Sequence, residues 1–246
     1  MIYDDSATAV VLSPHPDDAV LSAWSVLRSP EDVTVVNVCT KVPAPGTLGA
    51  FDPVFGVSDS RALVEARLVE DAAALALAGR SSRSLELFDE QYRDAPLDPV
   101  EVRHAIERCV DRAARLWAPA GIGAHGDHIA VRNAAVAIAR DAHLPLSLYA
   151  DLPYAIWMGW PPWVTGAAPR PYLVPDARWR ADLASMDVAD EALVARPIAL
   201  DDEEAARKLD AIRVYRTQFE LLNAGPLARL SNPEIIGYEV QWDVRF

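Results

Sequence analysis

Lysine and cysteine are both scarce in this chain of 246 residues, and each shortage excludes something. Only Lys41 and Lys208 carry an ammonium group. The 23 basic residues face 36 acidic ones, leaving a net charge of −13. A general nucleic-acid or anionic-membrane binder needs clustered positive charge to displace counterions, and that is missing. Two cysteines, Cys39 and Cys109, are too few for a disulfide framework or a cysteine-based structural zinc site. Cys39 lies in the apolar run VTVVNVC, which reads as the place of a buried free thiol in a reducing compartment. No apolar run approaches the ~20 residues that span a bilayer. The opening MIYDDSATAV lacks the positive end and apolar core of a secretion signal. The expectation is a soluble, cytoplasmic protein whose partner is a small molecule, with neither nucleic acid nor membrane involved.

What is present is a globular composition, 51% apolar and 24% charged, long enough to bury a core without staples. Short β-branched runs alternate with amphipathic stretches, which predicts an α/β fold with a mostly parallel sheet flanked by helices, read as one domain over residues 1–246. TAVVLS (8–13), VTVVNVC (33–39), LELF (85–88) and PLSLYA (145–150) read as strands, and LWAPAGIGAHGDH (116–128) as a strand running into a small-residue loop. Helices are expected from Asp18 to about Arg28, from Ser58 to Gly79 with Leu63, Ala66, Val69, Ala73 and Leu77 on its apolar face, and from Pro99 to Leu116. Asp127 is expected to cap another, and Asp201 with Glu204 to start a late one. IIGYEVQWDV (235–244) alternates like an edge strand. Residues 151–180 break the pattern with prolines and with Trp157, Trp160 and Trp163. They form either a cap over a pocket, able to stack on a sugar or aromatic face, or a loop packed on the core.

Three of the five histidines fall in two short turns: Ser13-Pro14-His15-Pro16-Asp17-Asp18 after the first strand, and Gly123-Ala124-His125-Gly126-Asp127-His128 after a later one. In open α/β sheets ligands bind beyond the carboxyl ends of strands, which is where both turns fall. Two imidazoles and a carboxylate suit a catalytic zinc with an open position for water. His15, Asp18 and His128 supply that set. Asp17 is then placed to take a proton from the water. His125 is placed to face the substrate oxygen, with Asp127 able to fix its tautomer. Taken singly, each turn is also compatible with simple helix capping by an aspartate.

LSPHPDDAVLS and HGDH resemble the signature elements of the PIG-L/LmbE-like N-deacetylases, whose first motif usually reads A-H-P-D-D-E. Arg67, Glu70 and Gly79, the stretch Phe88-Asp89-Glu90-Gln91-Tyr92-Arg93, and KLDAIRVYRTQ (208–218) extend the resemblance over most of the chain. The resemblance implies a Rossmann-like metallohydrolase, mostly zinc-dependent with Fe2+ as the other metal, that removes acyl groups from N-acyl amino sugars and related conjugates. It makes His15, Asp18 and His128 the metal ligands and Asp17 the general base. It makes His125 the group that steadies the tetrahedral intermediate or protonates the leaving amine. Arg67 and Asp89 fall where such enzymes contact sugar hydroxyls, although Arg67 also has Glu70 and Asp71 within reach along a helix. Ala19 stands where the usual motif has glutamate, and no tyrosine lies in the His125 loop. SPHPDDAVLS, the G-x-G-x-H-x-D-H turn and DLPYA (151–155) together resemble a less characterised branch. An amidase for a larger thiol or secondary-metabolite conjugate, and a metal- or sugar-binding module without turnover, are the alternatives.

Overall fold

The computed structural model describes residues 8–50, 52–223 and 229–246. The opening segment read above for a secretion signal therefore lies in part outside the described residues. Strands β1 (Thr8–Ser13), β2 (Val33–Asn37), β3 (Ser82–Ser84), β4 (Ala113–Pro119) and β5 (Leu146–Tyr149) pair in parallel. β6 (Leu193–Ala199) and β7 (Tyr238–Val244) join the same sheet antiparallel. The spatial order is β3-β2-β1-β4-β5-β7-β6, the α/β arrangement expected from the sequence. β1 reads as an unbroken apolar run because both of its faces are covered, and Val11 and Leu12 are fully buried.

Helices α1 (Asp18–Ser22) and α2 (Trp24–Leu27) follow β1, broken at Ala23 where one helix was expected. α3 (Ser60–Leu77), α4 (Pro99–Val110) and α5 (Gly126–Ala142) follow β2, β3 and β4. α4 ends short of the expected Leu116, because the chain is already in β4 from Ala113. The short α6 (Pro162–Thr165) and α7 (Ala177–Ala184) lie in the proline-rich region, and α8 (Asp202–Ile212), α9 (Phe219–Asn223) and α10 (Pro233–Ile236) close the chain. Asp201 caps α8, accepting from Glu204 N at 2.8 Å, as its sequence predicts.

Helix α3 turns a different face inward from the one its apolar residues suggest. Its buried residues are Ser60, Leu63, Val64, Asp71, Ala74 and Leu75, while Val69 is 71% exposed. The inward stripe carries a charged residue, so counting apolar positions alone rotates it. Asp71 accepts from Asn37 Nδ2 at 2.6 Å and Tyr215 Oη at 2.9 Å, and Glu70 accepts from Thr217 Oγ1 at 2.7 Å. These bonds tie α3 to β2 and to the segment after α8.

Two strand expectations need correction. Residues 85–88 are not a strand; β3 is the preceding Ser82–Ser84, and the chain beyond it keeps only isolated backbone bonds such as Leu85 N to Asn37 O at 2.9 Å. The stretch 235–244 is not an edge strand: its first residues end α10, and β7 lies between β5 and β6. The edge is β6, LVARPIA, whose Pro197 and largely exposed residues hid it from pattern reading.

α8 is locked to the sheet by a fully buried ion pair, Lys208 Nζ to Glu239 Oε1 at 2.7 Å. Glu239 also accepts from Trp24 N at 2.8 Å and Ser25 Oγ at 2.6 Å, so one carboxylate joins α8, β7 and the start of α2. The tryptophan-rich region is largely packed on the core. Trp160 and Trp179 are buried, and Trp179 meets Trp160, Trp163 and Trp242 edge-on at 5.8–6.1 Å. Among the described residues no helix is long and apolar enough to cross a membrane.

Candidate active site

β1 and β4 are neighbours at the centre of the sheet, and the chain continues from them to strands on opposite sides, the switch point beyond whose carboxyl ends ligands bind in such sheets. The turn after β1 is held by its own side chains. Ser13 Oγ donates to His15 O at 2.7 Å and accepts from Ala19 N at 3.0 Å, and His15 N donates to Asp18 Oδ2 at 2.8 Å. Asp17, at φ 157° and ψ −32°, lies outside the common regions for a residue with a Cβ. The turn after β4 uses Gly123 at φ +99°, where a Cβ would come within 2.6 Å of Tyr154. Only glycine lets Tyr154 approach.

The two turns bring His15, His125 and His128 together, with ring centroids 5.0–5.2 Å apart. His15 Nδ1, His128 Nε2 and Asp18 Oδ2 form a nearly equilateral triangle. Its sides are 3.3 Å between the imidazoles, 3.3 Å from His15 to Asp18 and 3.4 Å from His128 to Asp18. Each imidazole spends its other nitrogen on a carboxylate. His15 Nε2 donates to Asp127 Oδ2 at 3.0 Å, and His128 Nδ1 donates to Asp151 Oδ1 at 2.6 Å. With those nitrogens donating, two ring lone pairs and a carboxylate oxygen converge on one point, a place suited to a cation.

A tetrahedral zinc site with ligands at about 2.0–2.1 Å has ligand-to-ligand edges of about 3.3–3.4 Å, so the triangle fits the ion in size and in donor type. The electrostatics agree. Burial disfavours charge on His15 and His128, yet neighbouring carboxylates raise both, Asp127 and Asp18 acting on His15, and Asp18 and Asp151 on His128. Burial likewise opposes the Asp18 carboxylate, which His128 and His15 nonetheless hold below its ordinary range. The cluster attracts positive charge, as a cation site must. Cys39 with His15 and Asp127 forms a second group of compatible spacing. Burial, Asp127 and Asp89 push the Cys39 thiol well up, and Arg93 already occupies Asp127, so this group is a poor cation site. Cys39 is a buried free thiol, as expected.

Asp17 is buried beside the triangle. Its Oδ2 accepts from Gln218 Nε2 at 2.7 Å, and burial with the neighbouring Asp18 raises its pKa well above the usual carboxylate value. Arg67 lies close enough for its charge to act on Asp17. Asp89 Oδ2 stands 3.8 Å from His15 Nε2. His125 is the most exposed of the three histidines, its side chain 25% open to solvent, and its Nδ1 lies 3.5 Å from Glu90 Oε2. His125, not Asp127, is the cap of α5: Asp127 N donates to His125 Nδ1 at 3.3 Å. Burial and the two neighbouring histidines lower its pKa, so the ring is neutral with its hydrogen on Nε2. The Asp127 carboxylate holds His15 where His125 was expected; it also accepts from Glu90 N at 3.0 Å and from Arg93 Nη2.

Sequence reasoning missed Asp151, Gln218, Arg93 and Tyr154. Asp151 follows β5 at a strand end, Arg93 and Gln218 end segments already singled out for their resemblance, and Tyr154 supplies from another loop the tyrosine absent beside His125. Its ring lies 5.6 Å from His128. A cavity of about 880 Å³ between residues 158–175, α8 and α10 includes none of the histidines.

Residues 10–139, spanning both turns, match the family described as GlcNAc-PI de-N-acetylase, PIG-L. The chain belongs to the PIG-L family. Among solved PIG-L-like folds it resembles the A40926 pseudoaglycone deacetylase Dbv21, with 27% identity, 96% of each chain covered and a TM-score of 0.70. It also resembles a triple mutant of the deacetylase Orf2 of the teicoplanin biosynthetic pathway, with 26% identity, coverage of 97% of this chain and 98% of that one, and a TM-score of 0.73. Over 165 residues it is 31% identical to the 2'-N-acetylparomamine deacetylase of Streptomyces fradiae. That match covers 59% of this chain and 57% of the relative.

Proposed function

We propose that this PIG-L family member is a metal-dependent N-deacetylase that hydrolyses the N-acyl, foremost N-acetyl, amide of an amino sugar within a small-molecule conjugate. The observation that carries this reading is the triangle of His15 Nδ1, His128 Nε2 and Asp18 Oδ2, with a buried carboxylate, Asp17, next to it. The similarity to deacetylases of a pseudoaglycone and of an N-acetylated paromamine supports the substrate class. The whole chain acts as one domain in this reading, since Gln218 reaches Asp17 from the far end of the sequence.

His15, Asp18 and His128 would hold Zn2+, or Fe2+ in its place. Such an ion lowers the pKa of water toward about 7 and polarises the amide carbonyl. Asp17 accepts the proton of the attacking water, and its burial favours holding that proton until the amine leaves. His125 presents Nε2–H where the carbonyl oxygen gains charge. Arg67 and Asp89, flanking the triangle, bind sugar hydroxyls.

The test is metal content by elemental analysis, then amine release from N-acetyl glycosides before and after chelation and after adding back Zn2+ or Fe2+. Activity that vanishes on chelation and returns with metal is expected; activity indifferent to chelation refutes the reading. Asp17→Ala keeps its metal and loses about 10²–10⁴-fold in turnover, whereas loss of metal in that variant would exchange its role with that of Asp18.

A further inference from the structure

Of the three tryptophans between residues 157 and 163, two have structural employment. Trp160 is 8% exposed and donates Nε1 to Ile235 O at 2.7 Å. Trp163 donates Nε1 to Asp176 Oδ2 at 3.2 Å and packs edge-on against Trp179. Trp157 is different: it is 69% exposed. One side of its ring is covered by Arg229, whose guanidinium carbon lies 4.9 Å from the ring centroid while Nη2 donates to Trp157 O at 3.2 Å. The indole is thus braced from one side and open to solvent on the other.

Its position relative to the histidines follows from local geometry. Tyr154–Ile156 form a 3-10 turn, and Trp157, at φ −52° and ψ −36°, continues it with its N–H donating to Tyr154 O at 3.2 Å. In such a turn residues three apart eclipse, about 6 Å along the axis. Tyr154 faces His128 and His125, with centroids at 5.6 and 6.1 Å. Trp157 therefore stands on the same side as Tyr154, one turn along the axis. That step is comparable with the distance from one pyranose ring to the next in a glycoside.

We propose that Trp157, braced by Arg229, is the platform for a second sugar ring of the substrate, stacking on the ring joined to the acylated one. The hydrogens on a pyranose face carry partial positive charge and settle on the electron-rich indole face. Trp157 thereby sets the preference for a glycoside over a lone amino sugar. This deepens the deacetylase reading and rests on it for the place of the first ring.

The experiment has two arms. In the first, kcat/KM is measured on N,N'-diacetylchitobiose and on N-acetylglucosamine for wild type, Trp157→Ala and Trp157→Phe. The preference for the disaccharide is expected to fall about tenfold in Trp157→Ala, through KM, and to be largely kept in Trp157→Phe. In the second, calorimetry measures binding of deacetylated chitobiose, which needs no turnover. Binding that weakens in Trp157→Ala supports the platform even if wild type hydrolyses neither substrate, an outcome that would sink only the deacetylase reading. An unchanged preference in active enzyme, binding indifferent to Trp157, or no binding by wild type overturns the proposal.

Discussion

Gln218 donates its amide Nε2–H to Asp17 Oδ2 at 2.7 Å, joining residues 201 positions apart in the chain. An amide nitrogen can only donate, so Oδ2 is committed as an acceptor and Oδ1 is left to meet a proton. Gln218→Ala is therefore expected to lower kcat by about 10–100-fold, in the range of supporting hydrogen bonds around a site, with metal content unchanged. Loss of metal in the variant, measured by elemental analysis, would show that Gln218 supports the turn as a whole.

Asp151 fixes His128 by accepting from its Nδ1, and it also accepts from Ile122 N at 2.8 Å. Asp151→Asn can still accept at one oxygen but carries no charge. Zinc affinity, measured by competition with a chelator, is expected to weaken about 10–100-fold. An unchanged affinity would mean that packing alone orients the ring.

His125 keeps its hydrogen on Nε2 because Nδ1 accepts from Asp127 N. If, as proposed, His125 donates to the carbonyl oxygen, His125→Ala is expected to lower kcat about 10²–10³-fold with a smaller rise in KM. A change confined to KM would make His125 a substrate-binding residue instead.

Lys208→Met leaves the Glu239 carboxylate buried without its cation, at a cost of about 3–5 kcal/mol that urea unfolding would register. The double change Lys208→Met with Glu239→Gln removes both charges and should recover part of that loss. Equal stability of Lys208→Met and wild type would show that water reaches the pair.

Strands β1, β2 and β5 were readable along the chain, because burial on both faces makes them short runs dominated by Val and Leu. Both histidine turns were readable too, since strand ends in such sheets collect ligands. What the chain order hid was who holds whom. Asp127 sits two residues from His125 but its carboxylate serves His15, 112 positions away. Asp151 and Gln218 look ordinary in line and matter only once β5 and the segment after α8 fold against the turns. The stripe of α3 was misjudged for a related reason: a polar residue, Asp71, is buried there with partners supplied by β2 and Tyr215.

Strand β6 ends the sheet on one side with Arg196 and Pro197 in an exposed row, and β3 ends it on the other with three residues. Proline offers no N–H to a newcomer, and a three-residue ribbon is too brief to template a neighbour. Both margins thus discourage recruitment of a foreign strand, which guards the chain against fibrous self-association.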